Sequence, residues 1–534
     1  MVNRLARYAQ IASILSKYGF GIFLDELFPE ESRPEFLQRG DEYEHLSVYT
    51  RIRMAIEELG PTFIKLGQIM STRRDILPQP MIKELQKLTD KVKPEPFEKV
   101  KSVLEETCGP LKEICKYVEE EPFAAASLSQ VHRAVLLDGS EVVFKVQRPD
   151  IEELIEVDLT ILESVARRVE STFPYLAPYN PVEIVKQFST QIRKELDFVR
   201  DGKNAETLAK NLEEIERIRL PKIYWEKTGT RLLVMEYIEG MRIDAISELE
   251  RKFNLPELAE LGFQAYLKQI FEDGFFHGDP HAGNLLVTDE GKLVFLDFGL
   301  IGILRPERRL TFTRVLYGIV ENDVDLVVRS LRDLGVSFEF TNLDEFKDEL
   351  YVILRESRRY DLKEYSFIDS LDDITYTFYR HKVKLPGTLM LMLKVLTMVG
   401  DIGILLDPEF NFIERVRPYL SKILVQNYLS PEQLERIRTT LTRDIMDLPR
   451  IIGDFIKDLS KGRARHRVDI PELEKLENSI DRASDRIFSG LLLCAVILGL
   501  AIIITNVGTS WPDWYFYSLT ILGLLLVILL VHRS

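Results

Sequence analysis

A chain of 534 residues is too long for one ordinary hydrophobic core, so two or more structural units are expected. Its hydrophobic share of 46% and charged share of 29% are typical of a folded protein and exclude a wholly disordered one. The formal net charge of −15 argues against nucleic-acid binding, because nucleic-acid-binding surfaces usually carry excess positive charge.

Residues 1–95 are predicted to form a helical N-terminal extension. The stretch YTRIRMAIEELGPTFIKLGQIMSTRRDILP has apolar residues at helical spacing. Within it, Pro61 follows Gly60 and suits the first turn of a helix.

Residues 96–240 contain more strand-like patterns than the residues before them. The stretch AAASLSQVHRAVLLDGSEVVFKVQRP contains two β-rich runs joined by LDGSE, which is a hairpin signal. Two helical stretches follow, from Ile151 to Phe173 and from Pro181 to Glu216. The segment LLVMEYIEG is again strand-like. This part is therefore predicted to be a strand-rich lobe with a helical insertion.

Residues 241–425 are predicted to form a second lobe, which is mainly helical and has short strands around 274–302. A helical linker at 426–486 would follow. Strands first, and then helices with an embedded hairpin, favour a two-lobed α+β enzyme over a doubly wound parallel sheet.

Residues 487–531 contain two uncharged apolar runs. IFSGLLLCAVILGLAIIIT and the run from Trp514 to Val531 are each close to the roughly 20 residues that cross a bilayer. The connector is aromatic and carries one acid, whereas basic residues flank both outer ends, in KGRARHR and at Arg533. We expect two transmembrane helices in the cell membrane, with the catalytic domain in the cytoplasm. A helical hairpin buried in a soluble core is the alternative.

Two aspartates and an asparagine lie in the turns of GFFHGDPHAGNLLVTDEGKLVFLDFGLIG. Asp279 and Asn284 are five apart, and Asp297 begins D-F-G, which is the spacing of the catalytic-loop Asp and Asn and the metal-binding Asp in protein kinases. Asp279 would orient or deprotonate an acceptor hydroxyl or water. Asn284 and Asp297 would supply the oxygen ligands that Mg²⁺ prefers. We therefore expect ATP or ADP with Mg²⁺; the structural alternative is that these side chains only cap turns.

A lysine that binds phosphate should lie upstream on a strand. EVVFKV offers Lys145 among apolar neighbours, where an unpaired ammonium is costly. By spacing, its partner carboxylate on a helix is Asp201, which is shorter than glutamate by one methylene, and Glu206 is the alternative. Glu236 to Ile238 would form the hinge between the lobes, and backbone groups of this segment would contact the adenine.

His277 and His281 are four apart, which suggests a zinc site of the H-x-x-x-H type. Pro280 lies between them, so the two side chains are not expected to share the face of a regular helix. We interpret both histidines as supports of the loop that carries Asp279.

Four motifs distinguish this chain from ordinary protein kinases. AAASLSQVHRA replaces the G-x-G-x-x-G loop before Lys145, KLGQ occupies 65–68, and KELDF and HGDPHAGN…LDFG follow. Together they resemble the UbiB/AarF family of atypical protein-kinase-like proteins over about 51–300. K-x-G-Q with H-G-D-x-x-x-x-N is the specific part of this resemblance, whereas LDFG alone is weak.

The resemblance implies a site that is closed by the helical extension. The K-x-G-Q helix of that family folds over the place where a protein substrate would dock, so Lys65 and Gln68 would face the nucleotide. Lys65 would pair with Glu195, and Asp197 would lie on the same approach. The alanine-rich loop would alter the fit over the phosphates, because a methyl group bars the close approach that glycine permits. Its residues are Ala124, Ala125, Ala126 and Ser127.

The resemblance also implies a function, which is ATP hydrolysis or phosphoryl transfer in support of isoprenoid-quinone (ubiquinone-type) biosynthesis. The implied partners are anionic membrane lipids and a quinone or isoprenoid precursor. Two alternatives stay open. One is a protein Ser/Thr kinase, and the other is a nucleotide-sensing, lipid-binding scaffold.

Overall fold

The computed structural model describes residues 4–20, 43, 45–71, 73, 76–88, 93–173, 180–338, 342–356, 367–383 and 385–428. The chain divides into two compact units, Met1–Ser430 and Pro431–Ser534, and the described residues all belong to the first. The predicted transmembrane pair at 487–531 and nearly all of the predicted linker at 426–486 lie outside the described residues, so both stay predictions.

The described residues before position 93 form helices. These are α1 (Arg4–Lys17), α2 (Val48–Leu59), α3 (Pro61–Ser71) and α4 (Gln79–Leu85). Gly60 joins α2 to α3 with a φ of 96°, a conformation that costs glycine little. The chain therefore turns sharply there, and α3, which carries the KLGQ motif, begins at Pro61.

The next part of the chain forms an antiparallel sheet covered by two helices, α5 (Phe97–Cys108) and α6 (Leu111–Ile114). Its strands, in chain order, are β1 (Cys115–Val118), β2 (Ala124–Ala125), β3 (Ser129–Leu136) and β4 (Glu141–Gln147), and later β5 (Ile218–Arg219) and β6 (Leu232–Glu236). The sheet order is β1-β3-β4-β6 with β2 beside β3, while β5 joins another sheet. Lys145 on β4 pairs with Val131 and Leu233 on its two neighbours, which fixes its backbone on both sides.

Three helices separate β4 from β5, and they are α7 (Ile151–Thr172), α8 (Pro181–Glu195) and α9 (Phe198–Asn211). The prediction of one helical stretch from Pro181 to Glu216 is wrong, because the helix breaks between Glu195 and Phe198. The Asp197 carboxylate accepts the N–H of Val199 at 3.2 Å, and such a local bond competes with continuation of the helix.

A buried ion pair joins α1 to α7. Arg7 Nε lies 2.7 Å from Asp158 Oδ1, and the two side chains are 7% and 0% exposed. Thr62 Oγ1, in the first turn of α3, donates to Asp158 Oδ2 at 2.7 Å. Ile11, Phe63 and Ile161 share one apolar cluster around this pair. The helical extension is thus held against α7 by both polar and apolar contacts.

The second lobe combines short strands with long helices. The strands are β7 (Met241–Arg242), β8 (Phe275–His277), β9 (Leu285–Val287), β10 (Leu293–Phe295) and β11 (Ile301–Ile303), in sheets of order β5-β10-β9-β7 and β11-β8. The helices are α10 (Ile246–Leu249), α11 (Leu255–Leu267), α12 (Pro306–Glu321), α13 (Val324–Asp333), α14 (Leu343–Glu356), α15 (Phe367–Arg380), α16 (Gly387–Leu406) and α17 (Phe412–Tyr428). The strands are grouped apart from the helices, and the predicted α+β class is confirmed.

Helix α16 has 20 residues and is apolar apart from its threonines, Lys394 and Asp401. Among the described helices, it is the one whose length and composition would allow it to cross a membrane, and core helices of soluble proteins satisfy the same criterion. Ten of its residues are buried, including Val395 and Leu396 in the core of the second lobe. In the described structure, α16 is therefore a packed core helix.

Candidate functional site

A cavity of about 360 Å³ brings together most of the predicted site residues. Its walls come from α3, the loop before β3, β4, α8, α9, the loops after β8 and β10, and α16. The volume is within the range of small-molecule sites, roughly 300–1,000 Å³.

Lys145 projects from β4 between two carboxylates. Its Nζ lies 2.8 Å from Asp201 Oδ2 and 2.7 Å from Asp297 Oδ1. Burial alone would lower the pKa of Lys145, but the two carboxylates raise it above its usual value. The ammonium therefore stays charged, which a phosphate ligand requires.

Asp297 follows β10 in a left-handed conformation, with φ of 54°. This conformation is uncommon for a residue other than glycine, and it is often found where function requires it. The side chain is 53% exposed and lines the cavity. Burial would raise the pKa of Asp297, but Lys145 holds it well below its usual range, so the carboxylate is ionised.

Asp201 on α9 is the helix carboxylate that pairs with Lys145, which resolves the alternative that the sequence left open. Glu206 instead accepts the indole N–H of Trp225 at 2.6 Å. The shorter side chain of Asp201 suffices because α9 packs closely on β6, the strand beside β4, where a Cβ added at Gly202 would lie 3.3 Å from Leu233 Cδ1. A Cβ added at Gly202 would be 2.8 Å from Trp225 Cη2, closer than ordinary contacts allow. Burial raises the pKa of Asp201 to about 6 against the opposing effect of Lys145.

We expect Gly202→Ala to destabilise the protein by about 1–3 kcal/mol, because the added methyl forces α9 away from Trp225. The same displacement would lengthen the Lys145–Asp201 ion pair and weaken nucleotide binding. In the double variant Asp201→Glu/Gly202→Ala, the longer acid should reach Lys145 again and restore binding.

Thermal unfolding and nucleotide titration of the parent, Asp201→Glu, Gly202→Ala and the double variant test whether the two positions are coupled. Gly262→Ala on α11 is the matched control, since its nearest neighbour would be at an ordinary 3.5 Å. A Gly202→Ala protein as stable as the parent, with the same nucleotide affinity, would show that the close approach of α9 is not required.

His277 links the two loops that carry the acids. Its Nε2 donates to the carbonyl oxygen of Asp297 at 2.6 Å, and its Nδ1 accepts the N–H of Asp279 at 3.3 Å. Burial lowers the pKa of His277, so the ring is neutral. The zinc alternative has no support in the described residues, where no group of three or more His, Cys, Asp or Glu is placed to hold a metal.

Asp279 binds a residue that the sequence analysis did not identify. Its Oδ1 lies 2.8 Å from Lys394 Nζ, which comes from α16. Burial would raise the pKa of Asp279, but Lys394 lowers it below its usual value. One signal was available, because Lys394 is the single basic residue of the apolar run GTLMLMLKVLTMVGDIGILL. Such a lysine needs a polar surface or an acid nearby.

Asn284 lies at the base of the same loop, where it is buried and is not on the cavity wall. Its Nδ2 donates to the carbonyl oxygen of Asp279 at 3.0 Å, which leaves Oδ1 as the amide atom that could bind a cation. The metal-ligand roles predicted for Asn284 and Asp297 stay predictions.

The extension reaches the cavity through α3. Lys65 and Gln68 both line it, and Lys65 Nζ lies 3.4 Å from Glu195 Oε2 at the end of α8. Asp197 is not on the cavity wall, although the resemblance implied it, because its carboxylate is used to cap α9. The structure thus brings three of these four residues together.

The alanine-rich loop contributes only its second half. Ala126 and Ser127 line the cavity, whereas Ala124 and Ala125 form β2 and pair with β3. Arg148 Nε donates to the Ala126 carbonyl at 2.9 Å and so holds the loop in place.

The predicted hinge is not part of the cavity wall. Neither Glu236 nor Ile238 lines it. The Glu236 N–H donates to the carbonyl of Lys222 at 2.8 Å, and its carboxylate pairs with Arg219 at 2.7 Å. The N–H of Glu236 is therefore already used, and contact of this segment with adenine stays a prediction.

Comparison with known proteins gives consistent matches along the chain. Residues 87–331 match the model of the ABC1 atypical kinase-like domain, 351–411 that of the UbiB helical domain, and 471–532 that of the ABC1/UbiB kinase-like C-terminal domain. A protein of Marinobacter nauticus named probable protein kinase UbiB is 30% identical over 527 residues, which cover 93% of this chain and 94% of that protein.

Two other proteins match a smaller share of this chain. The chloroplastic protein ACTIVITY OF BC1 COMPLEX KINASE 7 of Arabidopsis thaliana is 31% identical over 79% of this chain and 63% of its own length. The solved complex of Rv3197 with erythromycin, from Mycobacterium tuberculosis, is 24% identical with a TM-score of 0.47, and the match covers 66% of this chain and 90% of that chain.

Proposed function

This chain belongs to the UbiB/ABC1 family of atypical kinase-like proteins, and we propose that it is a membrane-anchored ATPase or small-molecule kinase that binds Mg-nucleotide in the cavity. The observation that carries the proposal is the position of Lys145, which lies between Asp201 and Asp297 on the cavity wall. A lysine fixed by a helix carboxylate, beside the D-F-G aspartate, is the arrangement with which kinases bind nucleotide phosphates.

The donor set fits magnesium. Asp297 and Asn284 offer oxygen atoms, and Mg²⁺ is commonly bound through one or two such side chains completed by substrate phosphates. When bound, the ion would neutralise charge on the phosphate oxygens. Lys145 would bind the phosphates closer to the nucleoside.

Asp279 would act on the acceptor. It would orient a hydroxyl group or water and take its proton as the acceptor oxygen attacks the γ-phosphorus. The bond from that phosphorus to the bridging oxygen breaks, and its electron pair leaves with the nucleoside diphosphate. The products are the diphosphate and either inorganic phosphate or a phosphorylated acceptor.

A small acceptor is favoured over a protein substrate. Helix α3 forms one wall of the cavity, and the Lys65–Glu195 pair ties it to α8. A peptide segment would have to displace this helix, whereas water or a small molecule would not. We therefore rank the protein-kinase alternative lower.

The proposed biological role is support of isoprenoid-quinone biosynthesis, which rests on the family and on relatives named UbiB. The two apolar runs at 487–531 would anchor the chain and bring the cavity near anionic lipids. A quinone or isoprenoid precursor would then be the molecule handled at the membrane.

We expect the purified full-length protein to bind Mg-ATP and Mg-ADP, and to hydrolyse ATP severalfold faster with anionic vesicles that contain a quinone-like phenol. Calorimetry measures the binding, and phosphate release measures the hydrolysis. Vesicles of phosphatidylcholine alone are the control for a nonspecific effect of bilayer.

The two readouts separate the alternatives. Absence of Mg-nucleotide binding by the folded protein would refute the proposal. Binding without any response of hydrolysis to anionic vesicles would instead favour the scaffold or the protein kinase.

A further inference from the structure

Lys394 is an unusual residue for its helix. α16 is otherwise apolar apart from its threonines and Asp401, and the neighbours of Lys394 on either side, Leu393 and Val395, are buried. Lys394 itself lies on the face that Gly387, Met390 and Leu391 also present to the cavity. The spacing of these four residues is that of one face of a helix. The second lobe therefore directs one ammonium group into the cavity.

The ion pairs around the cavity differ in how strongly they hold their cations. Lys145 contacts two carboxylates and is only 12% exposed, so it is firmly placed. The Lys394–Asp279 pair is more open, because its side chains are 30% and 34% exposed. A lysine on a flexible four-carbon stem can exchange such a partner for another anion nearby.

The present partner of Lys394 limits what Asp279 can do. The ammonium occupies Oδ1 at 2.8 Å, so this oxygen is not open to the hydroxyl group or water of an acceptor. The ring of His281 is also near Asp279: its Nε2 is 3.8 Å from Oδ2, and its Nδ1 accepts the N–H of Gly283. Lys394 is thus the group whose movement would open Asp279 Oδ1 to an acceptor.

We propose that Lys394 binds the terminal phosphate of the nucleotide and, in doing so, releases Asp279 to act as the base. This inference rests on the proposed function of the cavity. Without nucleotide, Lys394 neutralises Asp279. With a triphosphate in the cavity, its ammonium moves to the γ-phosphate oxygens, and Asp279 becomes free to accept the proton of the water or hydroxyl.

In this proposal, Asp279 is available as the base only when a nucleoside triphosphate is bound. A diphosphate lacks the group that would attract Lys394, so Asp279 would stay paired after transfer. A triphosphate supplies a γ-phosphate. The ammonium of Lys394 would then also stabilise the charge that develops as the bond to the bridging oxygen breaks. Lys394 neither gives nor takes a proton in this step, and the proton of the acceptor goes to Asp279.

The test compares two nucleotides on four full-length proteins. The affinities of Mg-ADP and of Mg-bound adenylyl imidodiphosphate, a non-hydrolysable triphosphate, are measured for the parent, Lys394→Ala, Lys394→Arg and Lys252→Ala. Lys252 is the matched control, since it forms an exposed pair with Asp289 at 2.9 Å and does not line the cavity. Melting temperatures verify that each protein is folded.

We expect Lys394→Ala to lower the affinity for the triphosphate about tenfold, and to leave that for Mg-ADP within about twofold of the parent. Its turnover should fall by about 100-fold. Lys394→Arg keeps the charge and should retain part of the preference for the triphosphate. Lys252→Ala should match the parent.

Two outcomes would overturn the proposal. If Lys394→Ala lowers both affinities equally, or neither, Lys394 does not bind the terminal phosphate, while the nucleotide site itself stands. If the folded parent protein binds neither nucleotide, the proposed function fails, and this inference fails with it.

Discussion

Replacing Asp297 by asparagine is expected to lower the affinity for Mg-ATP by about 100-fold or more and turnover by about 1,000-fold. The carboxylate is ionised, half-exposed into the cavity and 2.7 Å from Lys145, so we expect it to supply an anionic oxygen ligand for Mg²⁺. An asparagine keeps the shape and loses the charge. Nucleotide titrations at several magnesium concentrations measure the effect.

The loss should be confined to the metal-dependent part of binding. Lys145 keeps Asp201 as a partner in the variant, so the melting temperature should change little. Asp289→Asn, at an exposed aspartate of the same lobe, is the control for loss of one surface charge. Unchanged magnesium-dependent binding in a folded Asp297→Asn protein would refute the metal role of this residue.

Replacing Arg7 by alanine is expected to destabilise the packing of the helical extension by about 3–5 kcal/mol. Its partner Asp158 is fully buried and would keep only the hydroxyl of Thr62 as a side-chain donor from α3. An ionised carboxylate left in that position is costly, because few groups replace its solvation. Amide hydrogen exchange of α1, α2 and α3 in the full-length protein measures the loss.

A comparison with an exposed pair isolates the effect of burial. Lys17 and Glu58 connect α1 to α2 at 2.7 Å, with side chains that are 43% and 37% exposed. Lys17→Ala should therefore cost less than about 1 kcal/mol. If exchange in α1–α3 is equally slow in Arg7→Ala and in the parent, the buried pair does not hold the extension in place.

The residue types around 279–297, together with Lys145, were sufficient to predict the chemistry that we propose for the site. A strand lysine, two aspartates and an asparagine at kinase spacing predict phosphate and metal binding, because few other ligands suit that set of charges. The structure places Lys145, Asp279 and Asp297 on one cavity, as that chemistry requires. The D-F-G aspartate was also predictable in position, since it follows a short buried strand.

For other residues, the sequence did not indicate which partners their polar atoms would have. Asp197 was assigned to the site from its motif, yet its carboxylate bonds to the next turn of backbone and caps α9. Glu236 was assigned to a hinge, yet its side chain pairs with Arg219. In both cases the sequence pattern located the residue correctly along the chain and could not specify which neighbour its polar atoms meet.

The sequence by itself determined which chemical groups this protein has available, since motif spacing and apolar periodicity are local properties of the chain. Only the tertiary structure decided how those groups are paired. Lys394 is 115 residues from Asp279, and Gly202 matters only because Trp225 packs against it. Such pairings arise when separate helices and strands pack around a common core, and no local pattern encodes the distance between two side chains that meet in this way.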